Sequence, residues 1–175
     1  VNNGAGVLNY DALGILSSTG NFIDLTTPES FIGDVIFIDN NIFLGDYEWI
    51  PIGTLTDIFE GTLKGGGNTI NGVYINSPGS TFPQGLFSAI PGDIENVILD
   101  KGYINGGENV GALAGGSTGK IYDSRNNGVN IIGDSYIGGI TGVLSGEGEI
   151  LRTYNSSSIY GFGYLGAITG ITGTN

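Results

Sequence analysis

Gly111-Ala112-Leu113-Ala114-Gly115 returns as Gly138-Gly139-Ile140-Thr141-Gly142 and again as Gly166-Ala167-Ile168-Thr169-Gly170, at spacings of 27 and 28 residues. Each block follows a branched aliphatic (Val110, Ile137, Leu165) and, five residues before the block, a glycine (Gly106, Gly133, Gly161). Two residues before that glycine stands an isoleucine (Ile104, Ile131, Ile159). A unit this short cannot bury an apolar face alone, so repeats of this length fold by stacking on their neighbours.

The unit carries no helical apolar stripe. It has short β-branched runs, Asn96-Val97-Ile98-Leu99 and Val129-Asn130-Ile131-Ile132, separated by turn formers, which predicts a coil of short strands. A weaker copy lies upstream at Gly85-Leu86-Phe87, before Pro91-Gly92-Asp93-Ile94, and Gly119-Lys120-Ile121 and Gly148-Glu149-Ile150 share the phase of the latter. About four units therefore run from near Phe59 to Asn175. The expected fold is all-β: a right-handed parallel β-helix of about four coils, spaced about 4.8 Å apart. The chain has 34 glycines in 175 residues. Their expected task is structural, letting strands approach and bend at corners, with Gly and Asn taking the positive-φ turns.

The three blocks resemble the GLUG motif, a glycine-rich repeat of bacterial surface proteins with parallel β-helices. Trp49-Ile50-Pro51-Ile52-Gly53 and Phe59-Glu60-Gly61-Thr62-Leu63-Lys64-Gly65-Gly66-Gly67-Asn68-Thr69-Ile70-Asn71-Gly72-Val73-Tyr74-Ile75 resemble the segment that introduces such repeats. The resemblance covers residues 47–175. It implies a secreted adhesin or surface protein and assigns no catalytic residue.

Residues 1–46 lack the repeat and are expected to be a β-rich capping or assembly segment. Val35-Ile36-Phe37-Ile38 and Asn41-Ile42-Phe43-Leu44 read as strands around an Asp39-Asn40 turn, buried on both faces, and Phe22-Ile23-Asp24-Leu25 as another. Thr27-Pro28-Glu29-Ser30-Phe31-Ile32 has the cap, proline and acid of a helical turn. A cap is needed because an open coil end presents unpaired backbone groups.

Charge and composition exclude several functions. Seventeen acids against five bases leave a net charge of −12, which repels phosphate backbones and anionic lipid, so neither nucleic acid nor membrane is an expected partner. The acids invite weak Ca²⁺ binding, but no run matches an EF-hand loop and no metal site is assigned. Cys and His are absent, which removes the thiol nucleophile, the commonest general base, the usual zinc ligands and any disulfide. No cofactor is expected. Met is absent too, so Val1 implies processing or a start inside a longer precursor, and a secreted, cell-surface location is expected. No apolar run reaches the roughly 18–20 residues that span a bilayer.

The best catalytic candidates are Asp123 and Arg125, with Arg152 in phase with Asp123; the simpler expectation is a salt bridge between coils. Glu147 and Glu149 fit a solvated turn, and no catalytic residue is assigned. Nine Tyr, eight Phe and Trp49 offer stacking surfaces for surface glycans. Tyr136 and Tyr164 are expected to stack across coils. Thr141 and Thr169 align as a short threonine ladder, the kind of regular face that binds ice, interrupted at Ala114. Asn155-Ser156-Ser157 is an N-glycosylation sequon at Asn155, and Ser156-Ser157-Ser158 offers O-linked sites. Nothing bulky follows the last repeat, so either more protein follows or another molecule covers this edge, and an assembly edge is the expectation if the sequence is the complete mature chain. The expected function is a non-enzymatic extracellular structural protein that self-associates end to end, with Val7-Leu8-Asn9-Tyr10 as a strand available for exchange. An adhesin stalk or carbohydrate-binding domain is the alternative, and a β-helix polysaccharide lyase or hydrolase a third.

Overall fold

The computed structural model describes residues 31–45, 47–53 and 58–173, together with the backbone of Ile15–Ser17. The strands expected at residues 7–10 and 22–25, and residues 27–30 of the expected helical turn, lie outside the described residues. Every element among the described residues is a β-strand.

One circuit of the chain visits four faces. Asp93–Glu95 lies on the first, Ile98–Asn105 on the second, Glu108–Gly111 on the third and Ala114–Ser117 on the fourth. Lys120–Tyr122 then returns to the first face, parallel to Asp93–Glu95, with Ile121 opposite Ile94. Repeating this path stacks parallel strands into a β-solenoid of about five turns.

The extra turn comes from upstream. Val35–Ile38 pairs in parallel with Thr62–Lys64, and Ile42–Phe43 with Thr69–Asn76, so the stack reaches back into the stretch expected to be a cap. These two strands belong to different sheets, and Asp39-Asn40 is a corner of the coil rather than a hairpin turn. They are also buried on one face only: Ile36, Ile38 and Ile42 are inside, while Phe37 and Phe43 are 43% and 73% exposed. Alternation at a period of two residues, with one face packed and one wet, replaces the expected two-sided burial.

Register turns the repeat into columns. Ile36, Leu63, Ile94, Ile121 and Ile150 stand opposite one another on the first face. Ile75, Ile104, Ile131 and Ile159 do so on the second, and Val110, Ile137 and Leu165 on the third. Fully burying one such aliphatic contributes about 1.5–3 kcal/mol.

The start of the stack is closed differently from the rest. Ile15–Ser17 runs antiparallel on Val35–Ile38, covering the edge of the first sheet. Phe31, Phe59 and Phe87 pack with tilted rings, centroids 5.5 and 5.1 Å apart. Trp49 is buried nearby, its indole N–H donating to the Leu86 carbonyl at 3.0 Å. An antiparallel strand with unrelated sequence breaks the parallel template and blunts the edge.

Candidate functional site

The repeat glycines are explained by close approach. None of the nine has a positive φ. At Gly111, Gly138 and Gly166 a Cβ would overlap the carbonyl oxygen three residues ahead, on Ala114, Thr141 and Thr169, so these glycines permit the tight corner between the third and fourth faces. At Gly115, Gly142 and Gly170 it would meet the backbone of the preceding coil's third face. At Gly106, Gly133 and Gly161 it would collide with the branched aliphatic side chains Val110 and Ile137. The positive-φ turns belong to other glycines, Gly66, Gly67 and Gly146 among them, and to larger residues at one corner, where Asn96, Asp123 and Arg152, one above the other, have φ of 52°, 53° and 48°. Asn and Asp tolerate this region better than Arg does.

The charged candidates form pairs between coils. Arg152 donates through Nε and Nη2 to the two carboxylate oxygens of Asp123 at 2.6 and 2.8 Å, the expected ladder salt bridge. The hydrogen bonds from Arg152 hold the Asp123 carboxyl below its ordinary value of 3.8, and Asp123 raises Arg152 in return. No ion pair among the described residues joins Arg125 to Asp123; Arg125 lies exposed between Ile98 and Tyr154. Glu149 pairs with Lys120 at 2.9 Å, and Glu147 occupies an exposed turn. Glu95 is hydrogen-bonded by Lys64 at 2.9 Å and by Tyr122 at 3.0 Å, which lowers its carboxyl below 4.5. Burial, followed by that bond, raises the Tyr122 hydroxyl. Pairs like these, of which only Arg152–Asp123 is bidentate, clip coils together but add little stability at an exposed surface. Among the described residues no three carboxylates gather as metal ligands.

Two polar columns lie inside. Asn126 is fully buried opposite Leu99, donating to the carbonyls of Val129 and Gly139 and accepting from the Val129 N–H and the Ser157 hydroxyl. Asn155, the sequon residue, stands in the same column in the next coil and is half-buried, its amide donating to the Ser157 carbonyl at 3.3 Å. Thr141 is fully buried between Ala114 and Thr169. Both threonine hydroxyls donate to the carbonyl two residues ahead, so the threonine pair faces inward and presents no outer face to ice. Sequence reasoning missed Asn126, because Asn126-Asn127-Gly128 in a β-rich repeat reads as a turn.

The final coil differs from those before it. Ile121, Ile131, Ile137 and Ile140 are fully buried, but their partners Ile150, Ile159, Leu165 and Ile168 are only partly so or exposed. At its second corner Tyr160, Phe162 and Tyr164 point outward, 60%, 93% and 62% exposed. Tyr136 and Tyr164 stack as expected, 5.5 Å apart and within 5° of parallel.

Comparison with known proteins gives one partial likeness. Ninety-seven residues, 53% of this chain, are 35% identical to a stretch of Halomucin from Haloquadratum walsbyi, and the match spans 1% of that protein. No protein-family model matches the chain, so the GLUG likeness stands on the repeat residues alone. No solved structure matches it either.

Proposed function

We propose that the chain is a non-enzymatic, extracellular structural segment of a surface protein, a stiff spacer whose length is set by the number of coils. The observation that carries this reading is the in-register stacking of one 27–28-residue unit on the next, which makes the molecule extendable by repetition. Of the charged groups offered for catalysis, Asp123, Arg152 and Glu149 are engaged in pairs between coils, which suits a scaffold. The partial likeness to a protein named as a mucin supports a surface setting. In this reading the repeats are GLUG-like and the acidic exterior keeps the segment solvated. Antibody against residues 58–173 should label intact, unpermeabilised cells, and brief external proteolysis should remove the label. Labelling only after permeabilisation would refute the proposal.

A second reading, subunits joined end to end as a fibre, is favoured by the partly bare columns of the final coil. The antiparallel strand Ile15–Ser17 occupies the first sheet's opposite edge, so a head-to-tail joint would have to displace it or use the other faces. Electron microscopy of the native material distinguishes the two: uniform fibres of an 18.0 kDa subunit support the fibre, and short particles the spacer.

A further inference from the structure

The solenoid contains its own control for which surface residues the fold needs. The corner between the second and third faces is built three times in register. It reads Asn105-Gly106-Gly107-Glu108-Asn109, then Ile132-Gly133-Asp134-Ser135-Tyr136, then Tyr160-Gly161-Phe162-Gly163-Tyr164. The glycine is kept at Gly106, Gly133 and Gly161, where a side chain would strike Val110 or Ile137. The outward positions are not kept. The first copy closes the corner with Asn and Glu, so the backbone turn does not require aromatic rings there. Yet the last copy places three of them in alternation, with Phe162 almost wholly in water. The Phe162 position is outward in the preceding coil too, where Asp134 is exposed although another coil stacks on it, so this ring faces water whatever covers the last coil. An outward ring that contributes nothing to the core marks a contact surface for something outside the chain.

We propose that Tyr160, Phe162 and Tyr164 form a ledge on which the C–H faces of a neutral saccharide stack. Three features select that occupant. Two of the three rings end in hydroxyls, which suits a ligand that is apolar on one face and hydroxylated at its rim better than an aliphatic protein surface. Asp134, exposed, and Ser135 follow Gly133 in the preceding coil, in the phase of Phe162 and Gly163, and supply acceptors beside the rings. The net charge of −12, with Asp134 at the ledge, repels sulfated and carboxylated glycans. Tyr136 covers one side of Tyr164 and holds that ring flat against the corner. The proposal is independent of whether the chain is a spacer or a fibre subunit.

Saturation-transfer NMR on the full chain, with short oligosaccharides of glucose, mannose and N-acetylglucosamine and a sulfated glucan for contrast, tests this. At least one neutral sugar should bind, with transfer from aromatic protons to ring C–H groups. Phe162→Ala should weaken binding about tenfold while circular dichroism is unchanged, since the side chain touches no core. Tyr74→Ala, in the other exposed tyrosine stack with Tyr103, should leave affinity unaltered. The proposal is overturned if no neutral sugar binds at millimolar concentration, if the sulfated glucan binds better, or if Phe162→Ala binds as well as the parent. It is equally overturned if sedimentation shows that the parent self-associates through this patch and Phe162→Ala abolishes that association.

Discussion

The first and last described coils are made of the same columns and are covered to different degrees. At the start, an antiparallel strand, three packed phenylalanines and a tryptophan cover the first coil. In the last described coil the inner side chains are partly exposed. Ile137 is fully buried, while Leu165, its partner one coil later, is 45% exposed. The side chains are of equal size and the columns identical. In a repeat stack burial is therefore supplied by the neighbour, and a residue's energetic weight follows from the coil in which it sits.

Matched truncations along the third-face column test that directly. Ile137→Ala should cost about 3–4 kcal/mol in urea denaturation, the cost of emptying a buried aliphatic site, and Leu165→Ala no more than about 1. Equal costs would break the comparison, because they would mean that another surface covers the final coil in solution.

The polar column gives a second matched pair. Asn126→Ala leaves the buried Val129 N–H without its acceptor and should cost about 2–3 kcal/mol, whereas Asn155→Ala, half-open, should cost less than about 1. The peptide containing Asn155 should carry no glycan mass in the folded protein, because its amide lies beneath Asn126 and against Gly139. Extra mass there would place the side chain outside and sharpen the contrast in the other direction.

How the fold was legible follows from which forces repeat. The glycine columns can be read from spacing, because close approach admits no other residue and so writes the same letter in every coil. The aliphatic columns are legible for the same reason. The first coil was written less plainly: Phe31, Phe59 and Phe87 recur at 28 residues and touch, but they share no register column, because Ile52 stands opposite Phe87 and the Phe87 column continues as Ala114 and Thr141. The inward threonines and asparagines were unreadable because their hydrogen-bond partners are carbonyls brought close only by the coil itself. The Asp123–Arg152 pair was legible from phase. The ledge was not, since only alignment of the corner in register shows that Tyr160 and Phe162 replace Asn105 and Gly107.

Trp49 measures the covered end. Replacing it by phenylalanine deletes the indole donor to Leu86, but the Ile52 N–H still bonds that carbonyl at 3.0 Å, so no acceptor is orphaned. Lost ring volume and one hydrogen bond together should cost about 2 kcal/mol, followed by far-ultraviolet circular dichroism. A negligible change would mean that the first coil is held by its strands alone, and the two ends would differ less than the structure implies.

Acid provides the mildest test, because it acts through exposed pairs. Asp123 is held below its ordinary value by Arg152, so the pair stabilises the fold above pH 3.8 and loses that contribution as pH falls through the lower folded value. Glu95, lowered by Lys64 and Tyr122, behaves in the same way below 4.5. The consequences differ by position. Coils joined through Glu95 are also joined by fully buried columns, and losing one clip there should leave amide protection almost unchanged. The final coil has only half-covered columns behind the Asp123–Arg152 clip, so its protection factors should fall first as pH drops from 5 toward 3. Arg152→Gln should lower protection of residues 149–161 at neutral pH and remove most of the pH response in that stretch. If the middle coils loosened first, the exposed pairs would be holding the stack together and the buried columns would not.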